Sequence, residues 1–346
     1  MDVKITKGRF ANLIAYDLVK IIISIIAAIM VWVLLFTMCA TRATVGEQFD
    51  LIVFDGVYYK DNYAEDVILK LKKEKSLSYD VLTANVSKVT AAGNYSALYM
   101  LTLKASTKEG DVFVFNGKTE QEKDEKGNLK TDESGAPVLK LNDNAQSIVN
   151  SGYLVSFTEY LDAAKQYLDK FVTDGTVDEN AVKNYFLDYR IKSAGNYRKT
   201  FRTQEQKDKG VKLEIERINT LLDNYTLVSG AIENAKAAGV DILWYADFCP
   251  GETYEKKNVP YGIDLYKLNA ASATSGGEKL SDYWYYWEAV ENKNESESGS
   301  GSSDLVKKSD GLTMAVFNYG ADQFDLQFES LAVIADAIKT FSNYAA

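Results

Sequence analysis

Five aromatic side chains follow one another at Tyr283, Trp284, Tyr285, Tyr286 and Trp287, within DYWYYWEAV (282–290). Flat aromatic faces beside carboxylates and amides suit a sugar, whose ring is apolar on its faces and edged by hydroxyls. Read as a strand, the run sends alternate residues to opposite sides. Tyr283, Tyr285 and Trp287 then share one side, and Trp284 and Tyr286 share the other. One set packs on a core while the other lines a cleft, and Trp284 and Tyr286 are the candidate ligand contacts. Trp244, Tyr245 and Asp247 offer the same chemistry at the end of a predicted strand, VDILWYADF (240–248). Asn116 follows another, DVFVF. The competing reading makes the aromatic run a strand buried on both faces, because Trp and Tyr are more often structural than ligand-binding.

Little else resembles chemistry. The chain has no histidine, which removes the commonest general base, the serine–histidine triads and the usual zinc sites together. Paired carboxylates hydrolyse glycosides without histidine. Asp247 with Glu252, or Asp282 with Glu288, are available, but 49 acidic residues produce such pairs by chance. Cys249, before Pro250-Gly251, would need a partner base to act as a nucleophile, so it reads as an incidental thiol. Asp124, Asp132 and Glu133 lack the alternating ligand spacing of a calcium loop. No glycine-rich phosphate loop is present. The expectation is a binding protein, not an enzyme, with no metal and no cofactor. A net charge of −10 argues against nucleic acid as a partner. Two distant cysteines, Cys39 and Cys249, give no disulfide framework.

The residues that hold these groups begin with an apolar run. IIISIIAAIMVWVLLFTMCA (21–40) has only Ser24 and Thr37 as polar groups. At 1.5 Å per residue it spans roughly 30 Å, the hydrocarbon thickness of a bilayer. The lead, residues 1–20, is too long for an ordinary cleavable signal. Met38 before Cys39 does not suit a lipoprotein site. Lys4, Lys7, Arg9 and Lys20 outnumber Asp2 and Asp17 in that lead. Positive charge inside therefore predicts a cytoplasmic lead (1–20), a single transmembrane helix (21–40) and an extracytoplasmic domain (41–346) at the cell membrane.

Beyond the anchor, period-two and period-3.6 patterns alternate. A strand is predicted over 49–59, a helix over 62–75, a strand over 77–89, a helix over 95–107 with Leu98, Leu101 and Leu103 inward, and a strand over 110–117. That order predicts an α/β fold with a mainly parallel sheet. Residues 118–140 read as a polar excursion. Ser156 and Glu159 form a capping box that opens a helix over 156–175. Helices follow over 178–195 and 204–239, then a turn-rich stretch from Cys249 to Gly262. Residues 291–304, ENKNESESGSGSSD, read as a flexible loop. A strand (311–320) and a helix (325–344) close the chain.

LYMLTLKASTKEGDVFVFNG (98–117), NSGYLVSFTEYLDAAK (150–165) and ESLAVIADAIKTF (329–341) together resemble segments of the extracellular solute-binding proteins of ABC importers. The resemblance covers about half of the outer part. It implies a two-lobed, periplasmic-binding-protein-like domain closing on a small solute, a carbohydrate being the expected class, with an ABC permease as membrane partner. Held by a helix instead of released or lipid-anchored, this chain departs from most such proteins. The alternative is a structural or regulatory subunit of a cell-envelope complex built on the same fold.

Overall fold

The computed structural model describes residues 7–39, 43, 45–92, 95–122, 124, 126, 128–131, 134–193, 200–251, 254–273, 279–290, 304–318, 328–342 and 344. Two compact units result, residues 1–43 and 44–346. The first contains α1 (Lys7–Cys39), a single helix of 33 residues. From Lys20 to Phe36 every side chain is exposed, Trp32 most of all at 71%. That stretch covers about 25 Å of helix axis, short of the roughly 30 Å of a bilayer core. Among the described residues, no helix is long and apolar enough to cross a membrane. The span expected over 21–40 lies partly outside them, since no side chain from residue 37 to 42 is described.

The second unit is mixed α/β. It opens with β1 (Gln48–Phe54), β2 (Val57–Tyr59), α2 (Tyr63–Lys73), β3 (Thr83–Val89), α3 (Ala97–Thr107) and β4 (Val112–Asn116). β1 pairs in parallel with both β3 and β4. Alternation within β1 and β4 decides what each face of the sheet carries. Leu51, Val53, Val112 and Val114 join one buried cluster, while Ile52, Phe54, Phe113 and Phe115 join another. A strand buried on both faces reads as a near-continuous apolar run, as LIVF and VFVF do. Ser96 caps α3 by accepting from the Tyr99 N–H. Leu101 points inward but Leu103, expected inward, is exposed, because two residues along a helix is over half a turn.

Within residues 118–140, β5 (Thr119–Gln121) pairs with β6 (Leu139–Leu141). The middle is helical: α4 (Asp143–Asn150), α5 (Phe157–Leu168), a two-strand turn of β7 (Val172–Thr173) and β8 (Thr176–Val177), and α6 (Glu179–Tyr185), which runs on as a π turn to Arg190. The capping box expected at Ser156 does not form, and that hydroxyl lies 3.2 Å from Thr158 Oγ1 instead. One forms at Thr203 and Gln206, opening α7 (Gln204–Ala237), a single helix of 34 residues.

The described part of the stretch expected to be turn-rich is strand. β9 (Leu243–Gly251) and β10 (Tyr254–Asp264) form an antiparallel ribbon with three register shifts. The shifts absorb Pro260, which lacks the N–H that a regular ladder needs. α8 (Leu265–Ala273), α9 (Leu280–Tyr283), β11 (Trp284–Val290), β12 (Asp304–Lys308), β13 (Leu312–Val316) and α10 (Ser330–Phe341) follow. The flexible loop expected over 291–304 lies outside the described residues up to 303.

The main sheet has the order β3-β1-β4-β13-β10-β9. Its last three neighbour pairs are antiparallel, so the sheet is mixed, not mainly parallel. The reason is β13: it enters from the far end of the chain and needs no helical crossover to reach its place beside β4. β2, β11 and β12 make a separate sheet of three strands. Residues 44–346 cluster as one compact unit around the six-stranded sheet; a second large sheet, as two α/β lobes would require, is not among the described residues.

Candidate functional site

The six predicted ligand contacts do not converge on a cleft. Trp244 is 5% exposed. Its indole N–H donates to the Gly117 carbonyl at 3.0 Å, and its ring stands edge-on to Phe115 at 5.1 Å. Tyr245 is half-buried, and burial with a hydrogen bond to Asp241 pushes its pKa up to about 12. Asp247 is exposed and braces the β9–β10 ribbon by accepting from the Asn258 N–H at 2.7 Å. Asn116 turns its side chain back to accept from the Lys118 N–H at 2.9 Å. Trp284 and Tyr286 are core residues, with Trp284 5.4 Å from Tyr59 and Tyr286 donating to Asp310 at 2.7 Å.

Three of the six are nevertheless linked through residues 116–118. Gly117 accepts from Trp244, and the Lys118 ammonium bridges Glu288 at 3.0 Å and Asp310 at 2.9 Å. The same ammonium lies 5.7 Å from the Tyr286 ring centre. Burial disfavours the ammonium, but hydrogen bonds with Asp310, Tyr286 and Glu288 outweigh that and raise its pKa. Backbone contact is close here. A Cβ at Gly117 would lie 2.6 Å from Trp244 Nε1, and one at Gly311 (φ +80°) would lie 2.6 Å from Lys118 Cα. Gly117→Ala is therefore expected to destabilise the domain by about 1–3 kcal/mol. Chemical unfolding would measure it, and a loss below about 0.5 kcal/mol would show that the indole gives way freely.

The aromatic run does have an open side, but the opposite one to that expected. Tyr285 pairs across the strands with Tyr58, and Trp287 with Lys307. Tyr58 and Trp287 are exposed and Tyr285 is half-exposed, whereas Trp284 and Tyr286 face inward. The Tyr58 and Tyr285 rings are 5.9 Å apart and 20° from parallel. Trp287 stands at 80° to Tyr285, 5.5 Å away. Lys307 Nζ sits in the angle between them, 4.1 Å from Tyr285 and 5.6 Å from Trp287. Alternation was legible in the sequence, but the inward parity was not. It is set by Trp284 packing on Tyr59 and Tyr63, residues more than 200 positions away. Tyr283 belongs to α9 and packs on Tyr63 and Phe341.

A second cluster, missed from the sequence, lies under α7. The Glu214 carboxylate accepts from Arg190 Nη1 at 2.7 Å, Arg217 Nη2 at 2.9 Å and the Tyr79 hydroxyl at 2.9 Å. Arg190 also pairs with Asp80 at 2.7 Å, and Arg217 Nη2 donates to the Tyr167 hydroxyl at 2.6 Å. Glu214 is fully buried. Burial pushes its pKa up, but Arg217 and Arg190 outweigh that and bring it down to about 2. Beside the cluster, Arg217, Asn224 and Phe328 line a small cavity of about 20 Å³, room for about one water. Only the i, i+3 pair Glu214–Arg217 was visible in sequence, and it looks like any surface ion pair.

Among the described residues, Cys249, Glu288 and Asp124 are each held by neighbours. The half-buried Cys249 thiol donates to Glu255 at 3.4 Å, and burial with that carboxylate pushes its pKa up, away from the thiolate a nucleophile needs. Glu288 is held by Lys118, and Glu252 lies outside the described residues. Asp124 accepts from the Asn128 and Lys126 N–H groups and the Asn128 amide, so its carboxylate closes its own turn. Compared with known proteins, the chain matches no family, no curated protein and no solved structure.

Proposed function

We propose that this chain is a membrane-tethered envelope protein that works through contacts on its outer surface, as a structural or regulatory subunit. The observation that carries this reading is the placement of Trp244 and Trp284. A solute carrier would need such rings free at a cleft. Here both are packed in the core, and the Trp244 N–H is satisfied by Gly117. The tether rests on α1, whose exposed residues between Ile21 and Phe36 are almost all apolar. Each Å² of such surface left in water costs about 25 cal/mol, so a lipid environment suits it. The basic lead supports a cytoplasmic amino terminus.

Solute capture for an ABC importer is the second reading. The parallel β1-α2-β3-α3-β4 start favours it, because that order is what the resemblance implies for this segment. Thermal unfolding of the detergent-solubilised full chain against sugars, peptides and amino acids separates the two, since a ligand of the native state raises the midpoint. The expected result is no shift with any class, together with crosslinks from the domain to another envelope component in native membranes. A rise of several degrees for one class, abolished in Asp247→Ala, would instead favour solute capture.

A further inference from the structure

We infer that the outward face of the β2–β11–β12 sheet binds a carbohydrate polymer carrying acid groups. The inference rests on the surface-contact reading above and names the ligand of that surface. Three observations converge on one patch. The Tyr58 ring stacks on Tyr285 and is 46% exposed, so its outer face can take the apolar face of a sugar ring. Trp287 rises beside it as a wall. Lys307 holds its ammonium in the corner and makes no ion pair among the described residues. A cation poised over two rings, with no carboxylate of its own, suits an acid group on whatever stacks there.

Size decides between a sugar and a protein. Aromatic side chains bury about 150–250 Å² each, and these three are less than half exposed. Together they offer roughly 300 Å², below the roughly 500 Å² that each partner gives to the smallest specific protein interface. A sugar ring needs only one aromatic face. Tyr58, Trp287 and Lys307 are all exposed, which suits a chain passing across them. The net charge of −10 works against any polyanion. At about 0.15 M salt, where the screening length is about 8 Å, the distant charges are damped and the contact at Lys307 remains.

The test is affinity electrophoresis of the full-length chain in nanodiscs at that ionic strength. The gels contain polygalacturonate, neutral dextran or poly-γ-glutamate. Retardation is expected with polygalacturonate, less with dextran, and none with poly-γ-glutamate. Trp287→Ala is expected to weaken the polygalacturonate interaction by about tenfold. Lys307→Met is expected to remove the preference for the acidic polymer while leaving the dextran mobility unchanged. Both positions are on the surface, and an unchanged near-ultraviolet circular dichroism spectrum verifies the fold. Equal retardation by poly-γ-glutamate would overturn the inference in favour of charge alone, and so would retardation indifferent to both substitutions. No retardation with any polymer, while crosslinks to an envelope protein persist, would overturn this inference and leave the surface-contact reading standing. Loss of both would remove both.

Discussion

Glu214→Ala lowers the unfolding free energy by about 3–5 kcal/mol, a large part of the 5–15 kcal/mol that a typical domain holds. The substitution leaves Arg190 and Arg217 facing each other without the carboxylate between them. Arg217 is itself buried, so bulk water does not solvate it. The same carboxylate sets a pH dependence. Its folded pKa, about 2, lies below the ordinary 4.5. Its contribution is therefore complete above about pH 4.5 and is lost as pH falls toward 2. At about 1.4 kcal/mol per unit of pKa, that is on the order of 3 kcal/mol. Urea unfolding of wild type and variant between pH 3 and pH 7 measures both effects. Curves that keep a constant separation down the pH series would mean that Glu214 carries no depressed pKa.

Trp244→Ala costs about 3–5 kcal/mol. It removes the ring standing on Phe115 and leaves the Gly117 carbonyl without its indole donor. The cavity would open where the 116–118 segment lies against β9, so Lys118 and its two carboxylates would lose their backing as well. Trp287→Ala, three positions from the buried Trp284 in the same strand, should cost under about 0.5 kcal/mol as a surface change. Comparing the two in urea separates a core tryptophan from a surface one. Similar losses for both would contradict the assignment of inward and outward faces.

Local pattern was a sound guide where one element explains itself. LIVF and VFVF read as buried strands because both faces are apolar, and α2 and α7 read as helices from their spacing. The errors arose where partners decide. A five-residue aromatic run states its alternation but not which parity faces in; Tyr59 and Tyr63 settle that from the other end of the domain. The segment from Cys249 to Gly262 carries Pro, Gly and Asn, so it reads as turns, yet pairing across the ribbon holds its described residues in strands. Ser156 and Glu159 have the capping-box spacing without the capping geometry. The charged cluster was illegible because Asp80, Arg190 and Glu214 lie on three separate segments of the chain.

The place of β13 governs how the protein can be made. Residues 312–316 complete the middle of the sheet between β4 and β10, yet a ribosome delivers them after every other strand of that sheet. Until then β4 has an unpaired, apolar edge, and the buried faces under α10 are uncovered. The sheet therefore cannot close while earlier strands emerge, and must wait, open, for β13. A transcript broken between β4 and β13 yields a polypeptide with that edge permanently on display. A protease needs no more specific mark than this to clear incomplete copies while leaving complete ones alone.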